Sequence, residues 1–337
     1  MKICIVGAGA IGGMLGVKLA LSGNDVTLIL RGVNLDAVRQ NGLRLIEEDG
    51  KELLAQPIKA TAVIAEAGVQ DVVILALKAH QVAAVAADLP SLMHADTRVI
   101  TMQNGIPWWY FHKLPGELGQ RYRGTPVKAV DPDGIIAKHI PVDRVIGSVV
   151  YPASEVIRPG VIKVIEGNRF TLGEIDGSDT PSIRAISDAF KAAGFKAPVS
   201  NDIRSEIWLK LWGNLSFNPI SALTHATLED ICVFPATREL AANMMREAQA
   251  IGEKLGVQFK VSLEKRINGA PAVGQHKTSM LQDVELGRPI ELEALVGSVI
   301  ELGRITETPT PNIDAVYALT SLLAKKLQQH KATLRIT

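Results

Sequence analysis

The first thirty residues constrain the fold more than any other part of the chain. An apolar run at residues 2–6 leads directly into Gly7-Ala8-Gly9-Ala10-Ile11-Gly12. An apolar-rich stretch follows to about residue 22, and after Gly23 comes a second apolar run at 25–30. The order predicts strand, glycine turn, helix and strand, with Gly23 as a left-handed helix stop. Each glycine has a physical task. Gly7 permits the tight turn, Gly9 lets backbone approach a pyrophosphate, and Gly12 lets the helix pack closely. The helix N-terminus then presents its N–H groups to phosphate. In this setting the turn reads as a dinucleotide-binding loop, with Gly7, Ala8, Gly9, Ala10, Ile11 and Gly12 as candidate cofactor contacts. A plain tight turn is the alternative for the glycines alone.

The residue that closes the second strand distinguishes two cofactors. An acidic residue there bonds a ribose 2′-hydroxyl, whereas an arginine accommodates a 2′-phosphate. Here it is Arg31, followed by Gly32, with no adjacent carboxylate. A guanidinium pairs well with phosphate through its planar fork, so the expected cofactor is NADP. A solvated surface arginine is the other reading. Two further apolar runs, 71–77 and 99–102, end in Lys78-Ala79-His80-Gln81 and Gln103-Asn104-Gly105. Lys78 and Gln81 are placed for cofactor phosphate or ribose, and Asn104 for nicotinamide ribose and substrate. Each also suits a helix cap or a turn.

Short apolar runs alternate with amphipathic stretches to about residue 199, which predicts a parallel sheet with crossover helices. At residues 144–172 the texture turns β-rich and reads as hairpins that finish the sheet antiparallel, followed by a helix at 181–193 and a short strand at 196–199. Beyond residue 201 the pattern is almost wholly helical. With 337 residues, two domains are expected: a nucleotide-binding domain at 1–200 and a helical, catalytic domain at 201–337. The apolar stretch 3–20 reads as a buried strand and turn rather than a leader, and no other run is long enough to span a bilayer. A net charge of +1 supplies no field for nucleic acid or an anionic membrane. Only Cys4 and Cys232 are present, which agrees with a reducing cytosol. The seven histidines form no ligand pattern, and no metal is expected. There is no GxSxG elbow and no P-loop, which argues against a hydrolase and a P-loop kinase.

In the helical half, Asn201 or Asp202 caps a helix predicted to about residue 217, with Pro219 marking its end or a kink. Lys210, Asn214 and Asn218 recur every four residues and stay within a sector of about 80°. Trp208, Leu211, Trp212, Leu215 and Phe217 flank this polar stripe, so the helix should be largely buried. Buried polar groups need partners: either other protein groups or a polar ligand in a cavity. Further helices are expected near 235–255, 279–286, 290–305 and 312–329. Glu291 falls in the first turn of the third of these, where a carboxylate favours the helix dipole. The basic stretch 325–335 reads as a solvated face.

These motifs together resemble the ketopantoate reductase (2-dehydropantoate 2-reductase) family. The matching residues are Gly7-x-Gly9-x-x-Gly12, Arg31, Leu77-Lys78-Ala79-His80-Gln81 and Asn104-Gly105. They continue with Glu206-x-Trp208-x-Lys210-Leu211-x-x-Asn214-x-x-x-Asn218-Pro219 and Ser279-Met280-Leu281-Gln282-Asp283, with Glu291 twelve residues past Ser279. The resemblance implies an α/β Rossmann-type N-terminal domain joined to an all-α C-terminal domain like that of 6-phosphogluconate dehydrogenase. It implies NADPH-dependent reduction of 2-dehydropantoate to pantoate, on the route to pantothenate and coenzyme A, by a cytoplasmic enzyme. Lys210 would be the general acid. Asn104, Asn214, Asn218, Ser279 and Glu291 would hold the substrate; Gly7 to Gly12, Arg31, Lys78, Gln81 and Asn104 would hold the cofactor. A homodimer is compatible with this reading.

The chain departs from the family's shorter members after Gly105, where Ile106-Pro107-Trp108-Trp109-Tyr110-Phe111 opens a long segment. Its aromatics either form a lid or reshape the substrate pocket, or they anchor a loop to the second domain by burial. Two other readings therefore stand beside the first. One keeps the chemistry and changes the substrate to another branched 2-keto acid. The other is a non-catalytic NADP-binding sensor, against which the joint presence of Lys210, Asn214 and Glu291 argues.

Overall fold

The computed structural model describes residues 1–269, 274–275, 277–330 and 332–334. Residues 331 and 335 of the predicted basic tail lie outside the described residues. The chain divides into two compact units. One comprises Met1–Gln103, Phe111–Pro126 and Asp133–Glu206; the other comprises Asn104–Tyr110, Val127–Pro132 and Ile207–Thr337.

The first unit is an α/β fold with eleven strands among its described residues. They are β1 (Lys2–Val6), β2 (Asp25–Ile29), β3 (Leu43–Ile46), β4 (Glu52–Ala55), β5 (Lys59–Thr61), β6 (Gln70–Leu75), β7 (Met93–Thr101), β8 (Val145–Val150), β9 (Ala153–Arg158), β10 (Val161–Glu166) and β11 (Phe170–Glu174). Its main helices are α1 (Ala10–Leu21), α2 (Val33–Asn41), α3 (Ala79–Ala86), α4 (Gly116–Arg121), α5 (Ile135–His139) and α6 (Pro181–Ala192). The larger sheet runs β11-β8-β7-β6-β1-β2-β5. Every pairing in it is parallel except β11 with β8. The order reverses between β1 and β6, and in open α/β sheets ligands bind beyond the carboxyl ends of the strands at such a reversal. The glycine turn follows β1, and Leu77-Lys78 follows β6.

The expected antiparallel finish holds for β11 alone. β8 joins β7 in parallel, while β9 and β10 leave for a second sheet of order β4-β3-β10-β9, where β10 lies parallel to β3. This corrects the hairpin reading. The physical reason is α1, which packs on β1 and β2 of one sheet and on β3, β4, β9 and β10 of the other. A helix covered on both sides must be apolar all round, as Met14, Leu15, Val17 and Leu19 are; all are buried. Its one cation, Lys18, pairs with Glu47 at 3.0 Å and lies 5.0 Å from the Phe195 ring centre. The predicted short strand at 196–199 is reduced to two isolated bridges, Arg169–Lys196 and Leu172–Val199.

The second unit is helical: α7 (Ile203–Thr224, whose first turn belongs to the other unit), α8 (Leu228–Val233), α9 (Pro235–Lys254), α10 (Leu263–Gly269), α11 (Ser279–Glu285), α12 (Ser298–Ile305) and α13 (Pro311–His330). Asp202 caps α7, its Oδ1 accepting from the Ser205 N–H at 3.1 Å. Of the end or kink expected at Pro219, the end is excluded. It sits inside α7, which continues to Thr224. Interior proline costs about 3 kcal/mol, and burial of Phe217, Ile220 and Ala222 offsets it. Trp208, Trp212, Leu215, Met244, Met245, Ile251, Val299 and Leu302 are all buried. The Trp212 Nε1–H donates to the Met245 carbonyl at 2.7 Å, tying α7 to α9. The helix expected at 290–305 is interrupted by a π turn at Glu293–Gly297, and Glu291 precedes its first helical residue rather than lying within the first turn.

No described helix is long and apolar enough to cross a membrane.

Candidate active site

The glycine turn has the conformation its residues predict. Gly7 adopts φ +95°, a backbone that other residues rarely take. A Cβ at Gly12 would overlap the Gly7 carbonyl oxygen and lie 3.0 Å from the Ala76 Cβ, so α1 starts in tight packing. A Cβ at Gly9 would meet open space. Gly9 caps α1 without a side-chain acceptor, leaving that helix end to be satisfied from outside the chain. An open face over uncapped amides fits a pyrophosphate. Arg31 is exposed, two residues past β2. Lys78 starts α3, and Gln81 serves as a local cap, its Oε1 accepting from the Lys78 N–H at 3.1 Å. Gln103 donates to the carbonyls of Leu75 and Leu77 at 2.8 and 3.0 Å, holding the turn after β6.

The other predicted residues lie in the helical unit, and the structure brings several of them together. The Lys210 ammonium donates to Asn104 Oδ1 at 2.6 Å. Burial pushes the Lys210 pKa down to about 8, against the carboxylate charge of Glu291, which holds it up. The Asn218 amide approaches the Ser279 hydroxyl at 3.5 Å, at the edge of hydrogen-bonding range. Asn214 is half-buried between Lys210 and Asn218 along α7, and Ser279 is exposed at the start of α11. Thr278 caps that start by accepting from the Leu281 N–H at 3.2 Å. Lys210 and Asn218 of the polar stripe are thus partnered by residues that the motif had already linked to them. Among the described residues no group of three or more histidine, cysteine, aspartate or glutamate side chains is placed to hold a metal.

The aromatic run is buried. Trp108, Trp109, Tyr110 and Phe111 are all at or below 7% exposure. Tyr110 accepts from the Trp208 Nε1–H at 2.7 Å, and the Phe111 ring centre lies 5.2 Å from that of Tyr122. Their burial fits the anchored-loop reading of these aromatics.

Two features of the site escape sequence reasoning. Gly213, in the middle of α7, faces the Arg266 guanidinium; a Cβ there would lie 2.5 Å from Nη2. A mid-helix glycine costs about 1 kcal/mol and so signals a packing demand, but not what makes it. Gly105 packs on the Ala294 carbonyl, and only its place beside Asn104 hinted at a role.

Fold and site define a Rossmann-type sheet unit joined in one chain to a helical unit that carries a partly buried lysine. Residues 3–108 match the family model for ketopantoate reductase PanE/ApbA, and residues 202–324 match the model for its C-terminal part. The chain belongs to the ketopantoate reductase family. A 2-dehydropantoate 2-reductase of Mesorhizobium japonicum is 55% identical over 325 residues, spanning 96% of this chain and 98% of its own. A Ralstonia solanacearum protein, solved as a candidate ketopantoate reductase, superposes with a TM-score of 0.90 at 42% identity, covering 97% of this chain and 98% of that one. D-mandelate dehydrogenase, solved with NADH and anilino(oxo)acetate, shares the fold at a TM-score of 0.81 and 22% identity, over 97% and 99% of the two chains.

Proposed function

We propose that the protein reduces 2-dehydropantoate to pantoate, with NADPH as reductant and Lys210 as the general acid. The observation that carries the reading is the Lys210–Asn104 pair. It is an ammonium with a pKa lowered to about 8, held at 2.6 Å by an amide oxygen. The activity of the Mesorhizobium relative, at 55% identity, supports the choice of substrate. We assign nucleotide binding to residues 1–200 and catalysis to residues 201–337, with Asn104 working alongside the latter.

Gly7, Ala8, Gly9, Ala10, Ile11 and Gly12 would hold the pyrophosphate, Arg31 the 2′-phosphate, and Lys78 and Gln81 the remaining phosphate or ribose oxygens. A nicotinamide cofactor held by these residues would supply the hydride that the keto carbon takes up. The carbonyl oxygen gains negative charge as that carbon is reduced, and the Lys210 ammonium both stabilises the charge and gives up a proton to it. A donor with a pKa near 8 is largely charged at neutral pH yet transfers its proton more readily than an ordinary lysine. Asn104 holds the ammonium in place by accepting one of its N–H bonds. Asn214, Asn218 and Ser279 suit the substrate's carboxylate and hydroxyls, and Glu291 suits a hydroxyl donor while keeping Lys210 protonated. Cys4 and Cys232 are both buried thiols, which supports a cytoplasmic setting.

Steady-state kinetics with the purified protein test the proposal. NADPH oxidation should be fastest with 2-dehydropantoate among a panel of branched 2-keto acids. Lys210→Ala should lower turnover by about 10²–10⁴ while NADPH still binds. No oxidation with 2-dehydropantoate would defeat the substrate assignment, and undiminished turnover in Lys210→Ala would remove the lysine from the chemistry.

A further inference from the structure

The Ala294 carbonyl lies within the π turn Glu293–Gly297, just before α12. In a regular α-helix a carbonyl points along the axis to the N–H four residues on. A π turn widens that ladder by one residue, and such turns occur as single insertions, frequently at functional sites. The Ala294 oxygen accepts from two groups besides the helix backbone: the Ile106 N–H at 3.1 Å and the Ser298 hydroxyl at 2.7 Å. Gly105, at φ +92°, packs so closely on the same carbonyl that a Cβ would overlap its oxygen. Residues 105 and 106 are therefore both seated on one oxygen, and the residue immediately before them is Asn104, the acceptor of the Lys210 ammonium. Farther along, Glu301 of α12 accepts from the backbone N–H groups of Lys128 and Ala129 at 2.8 and 2.7 Å. One helical run thus anchors both chain segments that the helical unit takes from the region 104–132.

A serine hydroxyl returning to a carbonyl one turn back is common in helices. The distinguishing feature is that this carbonyl also receives the backbone beside a site residue. We propose that Ser298 is a positioning residue for the reduction: by fixing the Ala294 carbonyl it fixes the Gly105–Ile106 peptide, and through it the Asn104 amide against Lys210. The proposal rests on the reading of Lys210 as proton donor. It assigns a role to a fully buried residue that need not touch substrate or cofactor.

The test is Ser298→Ala, measured as kcat, as KM for each substrate and as the pH dependence of kcat/KM. Small misplacements of reacting groups cost rate steeply, so kcat should fall about tenfold while KM for NADPH is unchanged. The alkaline limb should move to lower pH, because a loosened bond to Asn104 favours the ammonium less. Added to Asn104→Ala, the same change should cost almost nothing more, since both act through one contact. Ser298→Cys, close in size and a weaker donor, should shift the limb in the same direction and serves if the alanine variant is poorly folded. Wild-type kcat and limb in either variant, whatever happens to Tm, overturn the proposal. So does a full additive loss in the Asn104→Ala background. Lys210→Ala separates the two levels. An inactive lysine variant beside an unaffected Ser298→Ala overturns this inference alone, whereas an active lysine variant removes the reading beneath it.

Discussion

The Lys210 ammonium and the Asn104 amide oxygen meet at 2.6 Å although 106 residues separate them in the chain. The pair joins the middle of α7 to a residue three positions past the end of β7, and it sits where a charge is costly. Burial lowers the lysine pKa to about 8, so the ammonium is retained at neutral pH but with a weakened hold on its proton. Strongly perturbed pKa values cluster at functional sites.

Glu291 is the group that opposes this burial, because its charge raises the Lys210 pKa. Glu291→Gln removes that support, so the lysine should lose its proton at a lower pH than in the wild type. The alkaline limb of kcat/KM should move in the acid direction, and KM for the keto acid should rise as a hydroxyl acceptor is weakened. A limb that stays in place or moves to higher pH would mean that the carboxylate does not act on Lys210.

Arg31 is the residue proposed to set cofactor choice. Arg31→Ala should raise KM for NADPH at least about tenfold, the loss expected when a charge-assisted phosphate contact worth 1.5–3 kcal/mol is removed, while KM for NADH changes little. Parallel initial-rate series with the two cofactors measure it. Equal losses for both would place the 2′-phosphate elsewhere.

Gly12 tests the glycine turn as packing. In Gly12→Ala the new methyl would collide with the Gly7 carbonyl oxygen. Overpacking of this kind costs about 1–3 kcal/mol, so thermal unfolding should show a lower Tm and NADPH titration a weaker complex. An unchanged Tm would mean that the turn relaxes freely, and the close start of α1 would have no structural role.

Much of this was legible in the chain because local periodicity carries it. The glycines of the turn stand at the spacing of a dinucleotide-binding loop between two apolar runs, and Lys210, Asn214 and Asn218 declare one helix face. What stayed hidden depends on pairings far apart in sequence. The second sheet is built from strands of four to six residues, too short for a clear alternation, and β10 pairs with β3 across more than a hundred positions. The π turn was invisible because Glu-Ala-Leu-Val-Gly suits an ordinary helix, and its Ala294 carbonyl meets Gly105 and Ile106, which lie far away in sequence. Pro219 left an end or a kink open for the opposite reason. Local preference allowed a stop, and the helix runs on through the buried turn around it.

The most direct measurement is the pH dependence of kcat/KM for 2-dehydropantoate in the wild-type protein, since that ratio reports groups of the free enzyme. A proton donor with a pKa of about 8 predicts a plateau on the acid side of that value and a fall approaching tenfold per pH unit above it. A profile that stays flat to pH 10 would contradict the assignment of the proton to Lys210.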